Sequence, residues 1–304
     1  MNELELAHTS GRTGRREPPS LVGRLVAASR PLSWVNTAYP FAAAYLLAGG
    51  RVDASLVIGT LFFLVPYNLA MYGINDVFDH ASDAANPRKG GVEGALLDPG
   101  VHRRVLVAAV AACAPFVVAL VLLGRPASWA VLAGSLFAVA AYSVPGLRFK
   151  ERPVLDSLTS STHFTGPAVY GLVLAGGAWG RPAVLALVAF FLWGVAAQAF
   201  GAVQDVVPDR QAGIASVATA LGAARTVRLA LTLWAAAGLL LLAEPFPGLL
   251  AAPLVVPYLA LAWPYRSVTD QGSAAAHGGW RRFLVVNYVV GFLVTLILIT
   301  MGRS

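Results

Sequence analysis

The sequence predicts an all-α membrane protein that crosses the bilayer nine times. Of its 304 residues, 57% are hydrophobic and 12% are charged, and the mean hydropathy is +0.68. A soluble globular protein has about 25% charged residues, so this chain has too few charges to cover a water-facing surface. One cysteine, Cys113, lies in an apolar run, which excludes a disulfide-stapled secreted scaffold.

Nine apolar windows approach the roughly 20 residues that a helix needs to cross the ~30 Å hydrocarbon layer. They are residues 31–50, 54–75, 104–123, 127–144, 156–176, 182–204, 227–243, 248–264 and 283–301. Residues 1–29 are polar and rich in Arg, Pro and Gly, and they predict a flexible cytoplasmic tail. Residues 30–304 are therefore expected to form one nine-helix domain.

The distribution of Lys and Arg orients these helices. With the N-terminus in the cytoplasm, 18 of the 22 Lys and Arg residues fall on the cytoplasmic side, which is a strong positive-inside signal. We therefore expect a multi-pass protein of the cell membrane, with its C-terminus outside. Because this topology explains most of the net charge of +7, the expected partners are the lipid bilayer and an anionic substrate, and not nucleic acid.

An acidic cluster follows the second window, on the cytoplasmic side. If the helix continues, Asn75, Asp79 and Asp83 lie on one face at i, i+4 and i+8, with Asp76 beside them. Carboxylates this close repel one another unless a cation lies between them. Ligands that are all oxygen atoms favour a hard ion such as Mg²⁺. The alternative is a solvated acidic helix end without a ligand.

A second acidic pair follows the sixth window, on the same side. Asp205 and Asp209 also have the i, i+4 spacing, although Pro208 makes an unbroken helix through them doubtful. The pair alone is weak evidence for a metal site, and its position on the same side as the first cluster strengthens that evidence. Two facing acidic clusters could hold Mg²⁺ ions and a diphosphate between them.

A diphosphate also needs cationic and polar groups. The candidates are Asn68, Asn75, Arg88, Lys89, Tyr142, Arg148, Lys150 and Arg210. Any cytoplasmic loop carries Lys and Arg, so the basic residues alone do not decide the function. Asn68 and Gln198 each precede their acidic cluster by seven residues on the same helical face. The fifth window opens with the polar run 156–163, which must face a cavity or another helix.

The two acidic motifs resemble those of the UbiA superfamily of intramembrane prenyltransferases. The first signature, N-D-x-x-D-x-x-x-D, matches Asn75, Asp76, Asp79 and Asp83, and the second, D-x-x-x-D, matches Asp205 and Asp209. Gly213, Ser216, Thr219 and Gly222 follow in the usual downstream pattern, and Tyr142-Ser143 with Arg148 and Lys150 resembles the third cytoplasmic element.

This resemblance implies a ring of nine helices around a central cavity, capped by Asp-rich cytoplasmic loops. It implies that Asp79, Asp83, Asp205 and Asp209 are catalytic and hold Mg²⁺, with Asn75 assisting and Asp76 less firmly placed because it lies off the common face. The basic loop residues would complete the cradle for an isoprenyl diphosphate.

The segment from Asn86 to Gly94 resembles the lycopene elongases of C50 carotenoid synthesis. That resemblance implies Mg²⁺-dependent transfer of a C5 group from dimethylallyl diphosphate to lycopene, with a carotenoid cyclase as a candidate partner. Three alternatives stay open: a quinone precursor or other aromatic acceptor, a terpene cyclase of the same superfamily, and an ion transporter. The transporter is disfavoured because the carboxylates lie at helix ends and not near the bilayer midplane. Proton loss or hydration, and modification of one or both lycopene ends, are left open.

Overall fold

The computed structural model describes residues 20–80 and 96–302, and all regular structure in them is helical. The α-helices, numbered in chain order, are α1 Leu21–Ala28, α2 Val35–Leu47, α3 Ala54–Leu64, α4 Pro66–Phe78, α5 His102–Leu123, α6 Pro126–Ser143, α7 Leu155–Leu174, α8 Arg181–Val203, α9 Val206–Gln211, α10 Val217–Leu221, α11 Ala223–Leu241, α12 Val256–Ala262 and α13 Ala276–Met301. Short 3₁₀ segments include Phe149–Glu151 and Gly248–Val255.

Seven helical segments of the described chain are long and apolar enough to cross a membrane. They are Ala54–Phe78, Pro99–Leu123, Pro126–Ser143, Arg181–Val203, Ala223–Leu241, Gly248–Tyr265 and Ser273–Met301. The first and fifth predicted windows are also helical, but α2 has 13 residues and α7 begins with the predicted polar run. The protein is therefore a multi-pass membrane protein, and nine spans stay a prediction.

The N-terminal boundary differs from the expected one. Residues 21–28 form α1, which Ser20 caps by accepting a hydrogen bond from the Gly23 amide. This helix packs against α4, and Ala28 is fully buried in the first apolar core. The stretch expected to belong to the tail thus contains a helix in which Leu25 and Ala28 pack against the first core, while Leu21, Val22 and Val26 stay exposed.

The second predicted window is two helices, since the chain bends at Val65 before Pro66 begins α4. α4 ends at Phe78, and Asp79 is its C-cap, so the expected continuous helix stops one residue before Asp79. Acidic side chains are unfavourable in the last turn of a helix because the carbonyl end carries partial negative charge. The Asp79 amide still donates to the Asn75 carbonyl at 2.9 Å, which keeps these two residues one turn apart.

Two apolar cores hold the helices together. Aromatic side chains of α2, α3, α4 and α7 form the first, and those of α8, α11, α12 and α13 form the second. Close approach is possible where glycines face a neighbouring helix. A Cβ on Gly171 of α7 would lie 2.4 Å from the Phe41 carbonyl oxygen of α2, and one on Gly194 of α8 would lie 2.4 Å from Ser161 Oγ.

Candidate functional site

A cavity of about 1950 Å³ lies between the helices. Its wall contains residues from α2, α4, α7, α8, α11, α12 and α13, most of them apolar. At one end, which we call the mouth, the wall is polar. The predicted site residues at the mouth are Asn75, Asp79, Tyr142, Lys150, Asp205 and Asp209. The packing of the helices therefore brings residues of both predicted acidic clusters to the wall of the same cavity.

The first cluster divides between the cavity and the protein interior. Asn75 lines the cavity, and its side-chain nitrogen donates to Ser143 Oγ at 3.1 Å, so its carbonyl oxygen is the atom available to a cation. Asp79 also lines the cavity and forms an ion pair with Lys150. Asp76 is 1% exposed and accepts from the Arg30 guanidinium at 2.8 Å. Asp76 thus pairs with Arg30, which lines the cavity, and does not itself belong to the cavity wall.

Backbone strain is concentrated near this cluster. Arg30 and Arg148 have left-handed backbones, with φ of 51° and 40°, and Val154 has φ of 75°. Arg148 lies 3.7 Å from Asp79 and also pairs with Glu151. Non-glycine residues with positive φ are costly and cluster at functional sites. Two of the three strained residues therefore supply cations to the acidic cluster.

The second cluster lies at a break between two helices. α8 ends at Val203, and α9 begins at Val206, directly after Asp205. The break expected near Pro208 is confirmed, and Pro208 falls in the first turn of α9, where a missing N–H costs no helical hydrogen bond. The Asp209 amide donates to the Asp205 carbonyl at 2.9 Å. Asp205 and Asp209 are therefore one turn apart, and both line the cavity.

Lys150 connects the two clusters electrostatically. It lies in the 3₁₀ segment Phe149–Glu151, and burial lowers its pKa to about 8, while the charges of Glu151, Asp76 and Asp209 act in the opposite direction. Lys150 therefore pairs directly with Asp79 of the first cluster and interacts electrostatically with Asp209 of the second. The mouth thus contains cationic side chains among its carboxylates.

Two predicted binding residues lie elsewhere. Asn68 is fully buried and donates to Thr37 Oγ1 at 2.7 Å and to the Phe63 carbonyl at 2.8 Å, so it fastens α4 to α2 and α3. Arg210 donates to Asp270 at 2.6 Å and to the Thr219 carbonyl at 2.8 Å. Neither residue lines the cavity. The hydrogen bonds to Thr37 and Phe63 occupy the Asn68 amide, and those to Asp270 and Thr219 occupy the Arg210 guanidinium.

Three predicted residues, Asp83, Arg88 and Lys89, lie outside the described residues. In residues 20–80 and 96–302, no three His, Cys, Asp or Glu side chains are close enough to form a metal site by themselves. The donors at the mouth are nevertheless all oxygen atoms, from one amide and three carboxylates, which is the set that Mg²⁺ prefers. These residues fit Mg²⁺ by donor chemistry, and the complete ligand set stays a prediction.

Asp156 is a mouth residue that the sequence did not single out. It is 1% exposed, lines the cavity, and its Oδ2 accepts from the Val217 amide at 2.9 Å. This bond joins the start of α7 to the start of α10, directly after the second acidic cluster. Its only sequence signal was its place at the head of the polar run 156–163. Arg30 likewise contributed to the sequence analysis only as one of the positive charges that orient the helices in the membrane.

Polar side chains continue from the mouth into the cavity. Ser160 donates to Gln198 Oε1 at 3.0 Å, and both residues line the cavity. His163 is 3% exposed, and its ring lies 5.2 Å from that of Tyr142. Asp156, Ser160 and His163 of the polar run therefore face the cavity, whereas Ser161 donates to the Phe191 carbonyl of α8, so the run contacts both a cavity and another helix, the two alternatives that its composition predicts.

The cavity wall contains exposed residues beside α2 and on α13, and we call this exposed part of the wall the side opening. Leu32, just before α2, and Phe292 of α13 line the cavity and are both 63% exposed. Tyr288 bridges the seam by donating to the Leu32 carbonyl at 3.4 Å. Because these exposed side chains are apolar, the opening is suited to contact with lipid.

Comparison with known proteins identifies the family. The sequence model of the UbiA prenyltransferase family matches residues 37–285. The chain belongs to this family. The resemblance drawn from the two acidic motifs is thereby confirmed, and the family supports prenyltransferase activity.

Two relatives have names that refer to carotenoid synthesis. The C(50) beta-cyclic carotenoids biosynthesis protein LbtBC of Dietzia sp. (strain CQ4) is 55% identical over 92% of this chain, which spans 65% of that protein's length. A lycopene elongase/hydratase of Corynebacterium glutamicum is 47% identical over 92% of this chain and 97% of its own length.

Solved structures agree on the fold. A UbiA homolog from Archaeoglobus fulgidus bound to DMAPP and Mg²⁺ has a TM-score of 0.61 at 18% identity, covering 88% of this chain and 98% of that one. A UbiA homolog from Aeropyrum pernix K1 has a TM-score of 0.65 at 19% identity, covering 86% and 97%. The all-helical UbiA fold is therefore shown for this chain.

Proposed function

We propose that this protein transfers the C5 group of dimethylallyl diphosphate to lycopene in C50 carotenoid synthesis, with Mg²⁺ as cofactor. The observation that supports the proposal is that Asp79, Asp205, Asp209 and Lys150 line the same large and mostly apolar cavity, with Asp79 paired to Lys150. The names of the Dietzia and Corynebacterium relatives support the carotenoid acceptor. The donor is supported by the ligand of the Archaeoglobus homolog.

In this proposal the acidic clusters are the metal site. Asp79, Asp205 and Asp209 would hold Mg²⁺ with the Asn75 carbonyl oxygen, and Asp83 would complete the first cluster. Mg²⁺ supplies Lewis-acid stabilisation of the charge that develops on a departing diphosphate. Asp76 is not proposed as a ligand, since its carboxylate is committed to Arg30.

Cationic side chains would bind the diphosphate oxygens. Lys150 and Arg148 already lie beside Asp79, and Tyr142 lines the same wall. Arg88 and Lys89, in the loop that follows the first cluster, are proposed for the same role. Asn68 and Arg210 are withdrawn from it, because neither lines the cavity. Such preorganised donors stabilise a leaving group without reorganising during the reaction.

The reaction breaks the C–O bond of the allylic diphosphate and leaves an allyl cation. The apolar wall excludes bulk water and so shields this cation from premature capture. The terminal double bond of the acceptor attacks it, a C–C bond forms, and a tertiary cation remains on the acceptor. That cation loses a proton or takes up water and then loses a proton. The word hydratase in the name of the Corynebacterium relative favours water uptake.

We infer that the mouth faces the cytoplasm, with the N-terminus inside and the C-terminus outside, because of the Lys and Arg asymmetry of the sequence. A long apolar acceptor would enter from the bilayer through the opening between α2 and α13. A carotenoid cyclase as a partner is also proposed, from the name of the Dietzia relative.

Product identification tests the proposal. The full chain in lipid vesicles is incubated with dimethylallyl diphosphate, lycopene and Mg²⁺, with and without EDTA, and products are identified by mass spectrometry. We expect C45 and C50 products that disappear with EDTA. Absence of both products would refute the proposed substrates. Prenylation of an aromatic quinone precursor instead of lycopene would keep the fold and the donor but change the acceptor.

A further inference from the structure

Glu244 lies at the end of the cavity opposite the mouth. It follows α11, is 6% exposed and lines the cavity. In the part of the chain that the structure describes, neither of its carboxyl oxygens has a hydrogen-bond partner. The cavity residues near it in the chain and at the start of α8 are small or apolar, among them Leu241, Gly248, Pro182 and Ala183. The diphosphate chemistry of the mouth does not account for this carboxyl group.

A structural ion pair does not account for it either. Arg181 at the start of α8 supplies the opposing charge, but the described residues include no pair of these two side chains within 4.0 Å. The Ala186 amide approaches without reaching hydrogen-bond geometry. Burial raises the pKa of Glu244, and Arg181 opposes the rise. Burying a carboxyl group without a partner is costly, and a polar ligand in the cavity would offset that cost.

The distance from the mouth suggests which ligand. Arg181 and Ala186 lie near one end of α8, and Asp205 follows its other end. At 1.5 Å per residue, the 19 positions from Ala186 to Asp205 along α8 separate Glu244 from Asp205 by about 30 Å. That length is close to the hydrocarbon thickness of a bilayer and is of the same order as a linear C40 polyene. An acceptor with its reacting double bond at the mouth would place its other end beside Glu244.

We propose that Glu244 binds a hydroxyl group at the end of the acceptor remote from the mouth. This inference rests on the proposed function. In a first transfer, the prenyl C–O bond breaks, the C–C bond forms, water adds to the tertiary cation, and the proton leaves with the diphosphate. The product carries a hydroxyl group at its modified end. When it enters again in the reverse direction, Glu244 binds that hydroxyl group, and the unmodified end reaches the mouth. Glu244 therefore selects the once-modified acceptor for a second transfer.

Competition between two C45 acceptors tests this inference. One carries the hydroxyl group at its modified end, and the other is its dehydrated counterpart. In vesicles with Mg²⁺ and dimethylallyl diphosphate, we expect the wild-type protein to convert the hydroxylated acceptor with a kcat/KM about tenfold higher, as one buried hydrogen bond provides. Glu244→Leu should reduce this ratio to near one while its rate with lycopene stays within about twofold. Glu244→Gln, which can still form a hydrogen bond, should keep an intermediate ratio.

The matched control is Asp53→Asn. Asp53 caps α3 and lies outside the cavity wall, and Asn preserves the cap. Its ratio should equal that of the wild type. A wild-type ratio near one, or an unchanged ratio in Glu244→Leu, overturns this inference alone. A wild-type protein that forms no product from lycopene overturns the proposed function and this inference with it.

Discussion

The two ends of the cavity differ in whether their carboxylates are paired with cations. At the mouth, Asp76 pairs with Arg30, and Asp79 pairs with Lys150. At the far end, Glu244 is buried among apolar residues with no hydrogen-bond partner in the described chain. A site that must hold carboxylates and a diphosphate together needs compensating cations nearby. A single carboxyl group in an apolar wall instead suits the recognition of one neutral polar group.

The largest expected effect is loss of the mouth carboxylates. Asp79→Asn and Asp205→Asn should each lower kcat by at least about 10³-fold, because each removes charge that would hold Mg²⁺ against the leaving group. Product formation in vesicles measures the effect, with membrane insertion checked in parallel. Asp98→Asn is the control, since Asp98 is an exposed helix cap outside the cavity wall. Near wild-type activity in either mouth variant would remove the metal assignment.

Removal of the bridging cation should have the next largest effect. Lys150→Gln should lower kcat/KM for dimethylallyl diphosphate by about 10²-fold, the usual effect of losing one preorganised donor. Arg152→Gln is the control, because Arg152 is two residues away, donates to the Gly146 carbonyl and does not line the cavity. Equal losses in the two variants would mean that the loop contributes only net charge.

The pair behind the mouth should affect stability. Arg30→Gln should lower the free energy of unfolding by about 2 kcal/mol, because the buried Asp76 carboxylate then loses its charged partner. The double variant Arg30→Gln/Asp76→Asn should recover most of this loss. Denaturant unfolding in detergent micelles measures both. A double variant that is less stable than either single variant would show that the two residues do not act as a pair.

The smallest effect is expected at the far end. Glu244→Leu should change the free energy of unfolding by no more than about 1 kcal/mol, and in the stabilising direction, because it removes a buried carboxyl group that lacks a partner. Asp156→Leu, a matched change at the mouth, should lower stability by about 2 kcal/mol, since the Val217 amide loses its acceptor. The same unfolding assay compares the two. A marked loss of stability in Glu244→Leu would indicate a structural role.

The sequence by itself determined the class of protein and the two acidic motifs. Hydropathy is a local property, so the apolar windows could be read directly, and helices lie within all of them. The i, i+4 spacings of Asn75 with Asp79 and of Asp205 with Asp209 are also local. Both pairs line the cavity as the spacing predicts.

Only the tertiary structure decided which polar residues belong to the site. Asp76 and Asp79 are only three positions apart. Asp76 nevertheless pairs with Arg30, 46 residues earlier in the chain, whereas Asp79 pairs with Lys150. Asp156 is held at the mouth by a hydrogen bond that it accepts from the Val217 amide, 61 residues later in the chain. Asn68 and Arg210 lie outside the site because they bind Thr37 and Asp270, which are also remote in the chain. Such choices depend on groups that are remote in the chain and become neighbours only when the helices pack, and no spacing rule contains them.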